Sequence, residues 1–91
     1  MTTPTIHLNG TSRDELVKQY TAALNALWFA IEAHNRAAPH ARDYYPQGDS
    51  AYTAASTEHL NRKYSLYEVY SQLEQLRNCI AMQDCDYAVK S

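Results

Sequence analysis

The chain has 91 residues and a formal net charge of -2, from 8 Lys and Arg against 10 Asp and Glu. Domains run to roughly 100–200 residues, so there is room for one core, which excludes a multidomain enzyme, a large α/β fold and a strongly basic nucleic-acid binder. Leu, Ile, Val and Phe total only 15 residues, while alanine reaches 13 and tyrosine 8. Scarce aliphatic residues signal disorder only alongside high net charge, and that second condition is missing.

Residues 1–11 read as a flexible arm. They carry neither the basic nor the apolar region of a secretory signal. The longest apolar stretch, Ala26 to Ala33, falls far short of the about 20 residues a membrane span needs. The expectation is a cytoplasmic protein with no membrane contact and with reduced thiols at Cys79 and Cys85.

A first helix is predicted over residues 12–38. Ser12 followed by Arg13, Asp14 and Glu15 makes a Ser-x-x-Glu capping box. The two carboxylates lie in the first turn, where the helix dipole favours them. An apolar series then runs through Val17, Tyr20, Leu24, Leu27, Ile31, His34 and Ala38, alternating steps of three and four as in a heptad seam. Pro39 ends it. A second stripe, Ala23, Ala26, Ala30, Ala33 and Ala37, lies on a neighbouring face. It is either a second packing surface or simply good helix former. Trp28 and Phe29 are adjacent, so both cannot face one thin seam.

Residues 39–49 read as a loop, with two prolines and a glycine against helix. This is longer than the usual helix–helix connection of roughly 2–8 residues. Tyr44 and Tyr45 are expected to pack over the hairpin end or to form a binding surface. A second helix is predicted over 50–88, capped by Asp49 or Ser50. Its seam runs through Leu66, Val69, Leu73, Leu76 and Ile80, and extends back through Arg62, His59, Ala55 and Tyr52. A kink near Arg62 and Lys63 is the alternative.

The two seams predict an all-α fold, a long antiparallel helical hairpin. The matching register sets Leu27 against Leu66, Leu24 against Val69, Tyr20 against Leu73 and His34 against His59. Ile6 and Leu8 would cover the overhanging end of the second helix. Two helices bury little, and Leu60, Tyr64, Tyr67 and Tyr70 lie outside the main seam. Tyrosine suits half-buried interfaces. A homodimer forming a four-helix bundle is therefore expected, with a monomer covered by its own loop as the alternative.

Candidate sites follow. Trp28, Tyr44, Tyr45, Tyr64 and Tyr67 make a candidate interaction surface. His34, Arg42, His59 and Arg62 make a candidate polar or anion-binding cluster. No His-Glu-x-x-His, Cys-x-x-Cys or Glu-x-x-His spacing exists, so no metal or other cofactor is expected. No P-loop, Rossmann or EF-hand pattern and no nucleophile elbow is present. Long helices around an eleven-residue loop do not suit a helix-turn-helix, so nucleic acid is an unfavoured partner. The leading expectation is a non-enzymatic protein–protein interaction module: an adaptor, accessory or inhibitor protein, or one carried by a mobile element. A small ligand or metal sensor and a purely structural oligomer remain open beside it.

Overall fold

A computed structural model describes residues 1–83. Two long helices, α1 (Arg13–Arg36) and α2 (Asp49–Ala81), pack as a hairpin, with no strand among the described residues. The molecule measures 67 × 19 × 16 Å, with a radius of gyration of 19.8 Å. A compact chain of this length would have a radius of about 12 Å. One seam between two helices thus carries nearly all the packing.

α1 starts where the capping signal places it. Ser12 is extended, at φ -65° and ψ 154°, and its Oγ accepts the Glu15 N–H. The return half of the box does not form; the Glu15 carboxylate accepts from Gln19 instead. Asp14 and Glu15 occupy the first turn and Arg36 the last, matching the dipole at both ends. The helix stops at Arg36, two residues before the expected end, because Pro39 disfavours helical backbone at Ala38.

The connection is not featureless. Residues Ala41–Asp43 and Tyr45–Gln47 form two short 3-10 turns. The His40 Nδ1 caps the first by accepting the Arg42 N–H. Gly48 then turns the chain into α2 at φ 95° and ψ 169°. It occupies the N-cap position expected of Asp49 or Ser50 and offers no side-chain cap. α2 is unbroken across Arg62 and Lys63 and ends at Ala81. The predicted continuation from 84 to 88, and with it Cys85, lies outside the described residues.

The α1 seam is the predicted one as far as His34; Ala38, its expected last position, lies beyond the helix and is exposed. Leu24 and Ile31 are buried, and Val17, Tyr20, Leu27 and His34 are half-buried. In α2, His59, Leu66, Leu73, Leu76 and Ile80 turn inward as expected. Three positions differ, the first being Tyr52, which is 37% exposed and packs on Tyr44 of the loop instead. Val69 is 46% exposed and Arg62 is exposed, while Tyr70 and Lys63 take the inner positions. Alternating three-four steps admit either flank of the seam. Trp28 selects the Tyr70 side, with ring centroids 5.7 Å apart.

The arm closes the far end of the hairpin. Ile6 is 4% exposed. Its N–H donates to Gln83 Oε1 at 3.0 Å, and Gln83 Nε2 donates to the Pro4 carbonyl at 2.7 Å. One carboxamide thereby pairs with the arm as a neighbouring strand would. Leu8 takes no part in this cover and is 92% exposed.

Candidate functional site

Three features beside the seam bear on function. The first is a stacked imidazole pair at the loop end. His34 near the end of α1 and His59 of α2 lie with ring centroids 4.0 Å apart and planes only 6° from parallel. The antiparallel register brings them together, as the sequence predicts. Both His34 nitrogens are buried without a hydrogen-bond partner. Burial, the facing His34 and the cations Arg62 and Lys63 together hold the His59 imidazole below its usual titration range.

Each ring borders a cleft. His59 and Lys63 line one of about 450 Å³ with Asn35, Tyr52 and Leu60. His34 lines another of about 480 Å³ with Asn61, Arg62, Ser65 and Leu66. Parallel stacked rings direct their in-plane lone pairs side by side, and a metal ligand must aim its lone pair at the ion. The pair as placed cannot converge on one ion. Among the described residues no group of three His, Cys, Asp or Glu side chains is arranged to hold a metal.

The four residues of the predicted polar cluster do not all meet. Arg62 is exposed at the edge of the His34 cleft rather than in the seam. Arg42 is exposed on the first 3-10 turn and lines neither cleft. The pair His34–His59 is what the fold assembles. Lys63, not Arg62, shares the His59 cleft. Three-four steps from Leu66 reach either position, and the predicted seam takes Arg62 rather than Lys63 as the inner cation. The long aliphatic stem of Lys63 allows it the inner placement.

The second feature is an aromatic flank. Trp28 is 44% exposed despite its contact with Tyr70. Tyr67, Tyr64 and Leu60 precede Tyr70 at helical spacing, and all three remain exposed, Tyr64 at 62%. Of the loop tyrosines, Tyr44 packs on Tyr52, with centroids 6.3 Å apart, and Tyr45 is 75% exposed. The third feature is the alanine stripe from Ala23 to Ala37, exposed along its length. Phe29 lies outside the seam as well and is exposed.

No helix among the described residues is long and apolar enough to cross a membrane. No protein-family model matches the chain, and neither the curated proteins nor the solved structures provide a match.

Proposed function

We propose that the chain is a non-enzymatic helical module that works through protein–protein contact, and that a second copy is the first occupant of its open flank. The observation that carries this is the row Trp28, Leu60, Tyr64 and Tyr67, left exposed beside a seam with very few buried side chains. Among the described residues only Ile6, Leu24, Ile31 and Ile80 are buried. Contiguous apolar surface of this kind marks contact sites. Tyrosine and tryptophan supply contact area with little side-chain entropy to lose, and their polar edges tolerate water in the free form.

Two hairpins joined along this flank would make an antiparallel four-helix bundle. This function needs no cofactor, membrane or nucleic acid, and suits a cytoplasmic protein. A ligand or metal sensor has less behind it, because the stacked rings do not converge on a common point.

Light scattering after size exclusion, at several protein concentrations, tests the proposal. The expected mass is twice 10.4 kDa. Tyr64→Glu with Tyr67→Glu is expected to return it to one chain while the helical signal persists. A compact monomer at every concentration overturns the self-docking reading.

A further inference from the structure

His34 of α1 and His59 of α2 stack across the seam near the loop end of the hairpin. Beyond them lie the two 3-10 turns, and no residue of that loop is buried. The contact is between ring faces, at 4.0 Å and 6°. Neutral imidazoles can stack this way. The His34 ring, whose nitrogens are buried without a partner, offers a proton on His59 no compensating acceptor. An unpaired buried charge is costly. A proton on both rings would set two like charges face to face.

The surrounding charges do not relieve this. On α2, Arg62 and Lys63 are cations beside His59, and both act against its protonation. Glu58 adjoins His59 in sequence but is exposed. On α1, Glu32 and Arg36 are exposed, and so are His40, Arg42 and Asp43 of the loop. Among the described residues the one ion pair is Arg13–Asp14, at the opposite end of the hairpin. No carboxylate is therefore paired with either imidazole.

We propose that the stacked imidazoles of His34 and His59 form a proton-sensitive latch on the loop end of the hairpin. The latch holds α1 and α2 together there while the His59 ring is neutral, and releases them when it is protonated. The direction follows from linkage. The folded chain holds His59 below the ordinary value of 6.5, so the unfolded chain takes up its proton first as pH falls. The latch contribution is complete above that value and is lost progressively below it, down through the folded midpoint. The distal end, built on Ile6, Ile80 and Gln83, has no histidine in its hydrogen bonds and stays closed.

The test uses the full chain between pH 8 and pH 5. Ring-carbon NMR follows His59 directly, and its midpoint is expected below that of a free imidazole. Hydrogen-exchange protection, corrected for intrinsic rates, is expected to fall first around residues 33–36 and 56–62. Residues near Leu24 and Leu73 are expected to keep theirs. His59→Phe keeps a stacking ring without a titrating nitrogen, and is expected to flatten the fall of melting temperature with pH. His7→Gln is expected to leave that fall unchanged. A His59 midpoint at or above the free value overturns the latch, and that readout requires no variant to fold. An undiminished pH dependence in folded His59→Phe overturns it equally.

Discussion

Ile6 of the arm and Gln83 beyond the end of α2 are joined by a hydrogen bond of 3.0 Å, although 77 positions separate them. Gln83 makes two further bonds to the arm and α1, besides the one from its N–H to the Ile80 carbonyl. Its Nε2 donates to the Pro4 carbonyl, and its own carbonyl accepts from Arg13 Nη1 at 2.6 Å. The arm, the first residue of α1 and the end of α2 thus meet at one side chain and its backbone. Gln83→Ala removes both carboxamide bonds and leaves the Ile6 N–H without its partner. The expected loss is about 1–2 kcal/mol in urea unfolding. Ile6→Ala is expected to cost about 2–4 kcal/mol through lost burial. The two residues share one contact, so the double variant is expected to lose less than the sum.

The flank of the seam can be tested at neighbouring positions. Tyr70 packs on Trp28 and is half-buried, whereas Val69 is exposed. Tyr70→Ala is expected to destabilise by about 2–3 kcal/mol, less than a fully buried aromatic would. Val69→Ala is expected to stay within about 0.5 kcal/mol. Trp28 is the single tryptophan, so its fluorescence reports the contact. Tyr70→Ala is expected to shift that emission to the red, and Val69→Ala to leave it in place. The reverse order would restore the simpler seam through Val69.

That ambiguity marks how far the sequence can be read. Periodicity in α1 is unequivocal, because its apolar residues line one phase from Val17 to Ile31 with an alanine face beside them. The register is legible in part: matching the two seams sets Leu27 against Leu66 and His34 against His59, but a shift along the seam also pairs leucines, and it is the stacked imidazoles that distinguish the two. In α2 both Val69 and Tyr70 satisfy the spacing, and the choice rests on Trp28 in the other helix. A sequence pattern is local, and cannot weigh a contact between side chains 42 positions apart. Gln83 was hidden for a similar reason. A glutamine at the end of a helix is ordinary until an arm folds back to meet it. The polar cluster was overdrawn because placing Arg42 requires the path of the loop, which Gly48 and the 3-10 turns determine.

The two glycines predict opposite outcomes for the same substitution. Gly48 sits at φ 95°, with open space where a Cβ would lie. The cost of Gly48→Ala is therefore backbone strain alone, about 1–3 kcal/mol. At Gly10 the backbone is ordinary, but a Cβ would come within 2.7 Å of the His7 Nε2. That ring is exposed and can swing away. Gly10→Ala is expected to change stability by less than about 1 kcal/mol, since the ring can move and alanine restricts the unfolded chain. Thermal melts of the two variants side by side decide this.

Two open faces compete as the route to association, and one pair of substitutions separates them. Ala30 lies within the alanine stripe and Tyr64 within the aromatic flank, and both are exposed. Arginine at either site should be tolerated by the single hairpin, within about 0.5 kcal/mol, because neither side chain supports the seam. Their effects on mass should differ. If the copies meet through the aromatic flank, Tyr64→Arg brings a charge into the contact and lowers the mass toward one chain. Ala30→Arg then leaves it at two. If the small residues instead let backbones approach closely, arginine at Ala30 blocks that approach and the effects exchange places. Scattering mass at matched concentration, with circular dichroism to confirm that both variants remain helical, reads the difference directly.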